Sequence, residues 1–164
     1  MSLYRIKQFY WSLTSKLDLD DIEFINIYLN DKEKELFNKL STYEQKHSVN
    51  VAWDVMNECK NSEKKEYLVK VALLHDIGKT VKSLNPIEKS IVVLLDNISK
   101  GRIKNYTNFK IIDIYYNHAD KGYKILKEIG NYDDRFLYLI KNHHNYSIIE
   151  DKDLNILKSC DNKN

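Results

Sequence analysis

The chain has 164 residues, 43% of them apolar and 30% charged, with a formal charge of +2. That suffices for one domain around one core, and the charge is too small for a general nucleic-acid binder or an acidic tail. Two distant cysteines, Cys59 and Cys160, form no CxxC pair and no disulfide framework, which points to a reducing, cytoplasmic setting.

One proline and four glycines leave few helix breakers. Apolar spacing and stop signals predict helices over 3–16, 19–29, 32–59, 63–78, 86–98, 108–129, 133–145 and 151–161. The first of these, with Arg5, Lys7 and Gln8 among its apolar residues, has no signal-peptide core. Its aromatic cluster Phe9, Tyr10 and Trp11, followed by the amphipathic stretch from Ile22 to Leu29, reads as two helices packed on the main body. Residues 1–40 are thus expected to be a helical extension on a 41–164 core, within a single 1–164 domain. The third helix is expected to break near Ser41-Thr42. Asp18, Asn85, Asn131 and Asp151 stand at N-cap positions, while Gly101 and Gly130 punctuate helix ends. The apolar run from Ile91 to Leu95 is far short of the roughly 20 residues that cross a bilayer, so no membrane partner is expected. Strand-favouring residues fill 111–116, but Ala119, Gly122, Tyr123 and Leu126 continue them at a helical period.

The most informative residues are polar ones on faces that should be apolar. Residues three or four apart share a helix face. Leu36, Leu40, Tyr43, His47, Val51 and Val55 form one such stripe; Leu68, Ala72 and His75 form another, with Asp76 beside it. Ile111, Ile114, His118, Gly122 and Ile125 align, as do Phe136, Ile140 and His143, with His144 adjacent. Leu154 and Leu157 lead up one face to Asp161. A single inward histidine is usually a core residue with one hydrogen bond, and a lone Asp near a helix end is usually a cap. Here every histidine of the chain falls on such a face together with two carboxylates, which are costly to bury unless paired or bound to a cation. Imidazole and carboxylate suit Fe, Mn, Zn, Co or Ni. Seven such groups exceed what one ion normally takes, and two divalent ions bridged by a carboxylate use them economically.

The ordered set His47, His75-Asp76 and Asp161 resembles the H…HD…D pattern of the HD-domain phosphohydrolase superfamily. The string His75-Asp76-Ile77-Gly78-Lys79 is similar to its HDIG form, and His118 with His143-His144 to the extra ligands of its two-metal branches. The resemblance spans about residues 43–161. It implies an all-α, HD-domain helical bundle, here with two additional N-terminal helices. It also implies a first metal on His47, His75, Asp76 and Asp161, and a second on His118, His143 and His144, with Asp76 bridging. His143-His144 runs on into Asn145-Tyr146-Ser147-Ile148 without the GYP element of the cyclic-di-GMP phosphodiesterases. A third metal in such enzymes uses a glutamate four residues before the first histidine. Here that position is Tyr43, and Glu44 lies about 100° away around the helix, so two metals are expected.

The chemistry implied is hydrolysis of a phosphomonoester or phosphodiester, of a nucleotide or related small molecule, by metal-activated water. Asp76 and Lys79 are the catalytic candidates, and Lys79, Lys121 and Lys141 are candidates to hold substrate phosphate. The alternative is a catalytically silent metal-binding domain acting as a sensor or interaction module. The oligomeric state is open.

Overall fold

A computed structural model describes residues 16–164, and the expected first helix over 3–16 lies almost wholly outside them. The described residues form eight α-helices and no strand: α1 Leu19–Tyr28, α2 Asp31–Phe37, α3 Thr42–Glu58, α4 Ser62–Leu74, α5 Pro86–Ser99, α6 Lys110–Ile129, α7 Asp134–Asn142 and α8 Lys152–Lys163. Two 3₁₀ segments, Ile77–Val81 and Arg102–Tyr106, lie between α4 and α6. Among these residues no helix is long and apolar enough to cross a membrane.

Helix starts follow local hydrogen-bond chemistry. Asp18, Asn30, Ser41 and Asn85 each accept from the backbone N–H three residues on, and Asp21, Glu33, Glu44 and Glu88 reach back to the cap N–H. These reciprocal bonds satisfy donors that a helix start leaves orphaned. The box at Ser41 is what splits the predicted 32–59 helix into α2 and α3. Leu36 and Leu40 therefore reach the core from outside α3, and the stripe through His47 is two elements rather than one. Asn131 does not cap α7: it sits at φ 71° in the turn after Gly130, and the Asp133 side chain accepts from Phe136 N instead. Residues 111–116 are helical, inside α6.

The core gathers Phe37, Leu68, Leu73, Leu74, Leu126, Leu139, Ile140, Leu154 and Leu157, with Phe24, Ile25 and Leu29 of α1 in the same cluster. Central α4 is buried on every side from Leu68 to its end apart from Lys70, as expected of a helix surrounded by others. It stops at Leu74, four residues before the predicted end, and the chain turns through His75-Asp76 into the first 3₁₀ segment.

That turn is clamped to α6. A Cβ on Gly78 would lie 1.9 Å from His118 O and 2.6 Å from Gly122 N, both backbone atoms. Only glycine allows this approach. Gly78→Ala is therefore expected to destabilise the fold by roughly 2–4 kcal/mol, as overpacking against unyielding atoms does. Chemical denaturation checks this; a change under about 0.5 kcal/mol, the range of surface substitutions, would show that α6 yields freely.

Candidate metal centre

All seven side chains singled out in the sequence meet at one end of the bundle. His47 comes from the second turn of α3, His118 from the middle of α6, and Asp161 from the last turn of α8. His75 and His143 are the C-cap residues of α4 and α7, with Asp76 and His144 next in the chain. The negative ends of three helix dipoles, α4, α7 and α8, thus converge where a cation would gain most from them.

Two groups form around Asp76. Its Oδ2 lies 3.4 Å from His75 Nε2 and 3.7 Å from His47 Nε2, while its Oδ1 lies 3.2 Å from His118 Nε2 and 3.9 Å from His143 Nε2. Asp161 Oδ1 is 3.0 Å from His47 Nε2 and 3.6 Å from His75 Nε2, closing the first group. His144 Nε2 lies 2.9 Å from His118 Nε2, closing the second. Each group has its ligand-competent atoms within 4.8 Å of one another. One carboxylate therefore turns an oxygen toward each.

The backbone sets which histidine nitrogen is free. Nδ1 of His75 donates to Ala72 O at 2.7 Å, Nδ1 of His143 to Ile140 O at 2.7 Å, and Nδ1 of His118 to Ile114 O and Tyr115 O at 3.1 Å each. Carbonyls only accept, so Nδ1 carries a proton and Nε2 is the nitrogen turned inward. His75 Nε2, His143 Nε2 and Asp76 Oδ1 are buried with no hydrogen-bond partner. Buried orphans of this kind are rare and costly. Converging imidazole Nε2 atoms and carboxylate oxygens are the donor set of a cation site, and the residues fit divalent metal.

Burial and charge act together on these groups. Burial opposes ionisation of Asp76 and Asp161, yet both carboxyls are held well below the usual range, Asp76 chiefly by Lys79 and His75, Asp161 by its bond to His47. Burial, reinforced by His144 and His75, pushes His143 far down, and burial with His118 brings His144 to about 4. His47 is also lowered by burial. His75 is raised: burial lowers it, but Asp76 and Asp161 outweigh that.

His75, Asp76 and His143 form a buried floor, while His144, with 42% of its side chain exposed, marks the open side. The Lys79 ammonium sits on Asp76 Oδ2. Lys121 instead pairs with Asp113 at 2.7 Å, and Lys141 lies 3.6 Å from Asp120 and over the Tyr123 ring. Helical periodicity does not foretell two contacts in the wall. Glu44 is buried, accepts from Ser41 and Ser83, and its charge bears on Lys79. Tyr43 lies parallel to His47, ring centroids 6.5 Å apart, and accepts from Lys89. The capping box at Ser41 was the available signal for Glu44; nothing local announces the Tyr43–Lys89 contact, which joins residues 46 apart.

A concavity of about 440 Å³ lies at the other end of the bundle, against Glu58, Lys64, Arg135, Asp151 and Asp153. Arg135 grips Asp151 through two bonds of 2.6 Å and reaches Asp153, which Lys64 also meets. These charges satisfy one another and present no converging lone pairs, so the chemistry belongs to the histidine end.

The family model of the HD domain matches residues 45–163. No curated protein and no solved structure matches the chain.

The shifts fix a sign for the metal-free protein. Depressed folded pKa values for His143, His144 and His47 mean that the unfolded chain binds more protons between its value near 6.5 and the folded value, so stability falls over that interval as pH drops. The raised His75 works oppositely, adding stability as pH falls toward about 6.5. Melting of chelator-treated protein is expected to peak near pH 6.5 and decline toward pH 4. A melting temperature that climbs through that acid range would contradict the burial of neutral histidines.

Proposed function

The chain belongs to the HD-domain family, whose members are generally metal-dependent phosphohydrolases, and on that premise we propose that it hydrolyses a phosphomonoester or phosphodiester of nucleotide type. The observation that carries this reading is the set of buried, unpartnered Nε2 and Oδ1 atoms flanking Asp76. We place it in the HDIG-type, two-metal branch without GYP, because His75-Asp76-Ile77-Gly78-Lys79 is joined by a second histidine group and followed by no Gly-Tyr-Pro. His47, His75 and Asp161 would hold one divalent cation, His118, His143 and His144 the other, and Asp76 would bridge them. The core shared by α1 and the later helices supports reading the chain as one domain.

Bound divalent cations supply Lewis acidity, which makes water a nucleophile near neutral pH and draws charge from a phosphoryl group. The protein contributes the rest. Nδ1–H bonds to carbonyls orient three imidazoles so that Nε2 is the nitrogen turned toward the site. Asp76 stays ionised across the physiological range, held so by Lys79 and His75 against its burial. Lys79, raised by Asp76 despite burial, stays protonated beside Asp76, where it would neutralise charge growing on phosphoryl oxygens. Lys121 and Lys141 are engaged with aspartates outside the two groups, so the phosphate falls to Lys79.

The test is turnover of bis-p-nitrophenyl phosphate with Mn²⁺, then a screen of mononucleotides, dinucleoside polyphosphates and cyclic dinucleotides. Asp76→Asn is expected to cut kcat by at least about 100-fold and to lower bound metal, and Lys79→Ala to cut kcat about 10- to 100-fold with metal content unchanged. Metal bound without turnover of any of these substrates would defeat the enzymatic reading, and activity indifferent to Asp76→Asn would defeat the site.

A further inference from the structure

The α5 helix carries an apolar stripe that its own fold leaves open. Ile87, Ile91, Leu94, Leu95 and Ile98 are 61%, 47%, 54%, 42% and 70% exposed. Ile87, Ile91, Leu94 and Ile98 follow each other at intervals of four, three and four, the spacing of a seam between paired helices. At about 100° per residue, these side chains point away from the side of α5 that holds it to the molecule. On that other side Val92 is fully buried, Lys89 donates to Tyr43, and Asp96 accepts from Tyr116. The stripe is thus not a loosely packed core face, because the helix is already anchored by its opposite surface.

Its border is nearly without charge. On α5 itself Ser90, Asn97 and Ser99 flank it, and the ionised Glu88 beside it is paired with Lys82 at 2.9 Å. An identical face laid against these residues of α5 meets little like-charge repulsion. An isologous pairing needs this self-complementarity. We propose that α5 is the surface through which two copies of this chain associate, the two helices antiparallel, with Ile91 and Leu94 of each copy next to the twofold axis and Ile87 of one against Ile98 of the other.

The stripe would bury about 500 Å² on each copy, about 1,000 Å² in all, at the lower bound for a specific interface. The dimer is therefore one that dissociates on dilution rather than an obligate one. Because Lys89 and Glu88 project from the same helix toward Tyr43 and Lys82, pairing would also steady the wall beside the histidine end.

Sedimentation velocity of the full chain over about 1 to 200 µM decides it. The wild type is expected to pass from monomer to dimer over that range. Ile91→Lys and Leu94→Lys, both at exposed positions, are expected to raise the dissociation constant at least about 30-fold with helix content by circular dichroism unchanged. Ile27→Lys, at the exposed Ile27 of α1, is expected to behave as the wild type. A wild type that stays monomeric throughout, its α5 covered by some other chain or segment, overturns the proposal. So does a dimer that survives both α5 substitutions.

Discussion

Three imidazole protons are spent on backbone carbonyls, and everything else at the histidine end follows from that. Each Nδ1–H of His75, His118 and His143 goes to a carbonyl three or four residues back along its own helix. A helix C-terminus has carbonyls to spare, so placing His75 and His143 at helix ends satisfies backbone acceptors and aims the opposite nitrogen in one step. The price is a set of buried atoms with nothing in the chain to bond, which a cation could complete. The dipole ends of α4, α7 and α8 prepare the same place electrostatically. Asp76 then serves as the hinge of the arrangement, one oxygen to each group.

Much of this was legible in the sequence because helical periodicity is a strong signal. His47, His118 and Asp161 lie inside helices, and their stripes pointed inward as expected. His75 and His143 were expected inside helices and fall just past their ends, yet they still face inward, since the last turn preserves the register of the helix before it. What periodicity could not show was where helices stop. The break expected near Ser41-Thr42 is present, and it rests on a side-chain oxygen that competes for backbone donors, since apolar spacing runs straight through it. The early end of α4 depends on Gly78 meeting the backbone of α6, a contact between distant segments. Asn131 and Asp133 both suit a cap, and the left-handed turn after Gly130 decides between them.

The same limit explains the wall of the site. Tyr43 and Glu44 were weighed only by their angle to His47. Their partners, Lys89 on α5 and Ser83 after the 3₁₀ turn, come from the segment between the histidine pair of elements, where local rules carry no information about distance in space. Paired charges also had to be seen rather than inferred: Lys121 and Lys141 sit near ligands in sequence, yet each answers to an aspartate elsewhere.

The contact of Gly78 with α6 has a wider consequence. Backbone meets backbone there, so the offset between Asp76 and His118 is gauged by main-chain atoms and not by the bulk of any side chain. A change in the bulk of apolar residues deeper in the bundle therefore acts on this offset less directly than a change at Gly78 would. The two glycines, Gly78 and Gly122, hold the ruler.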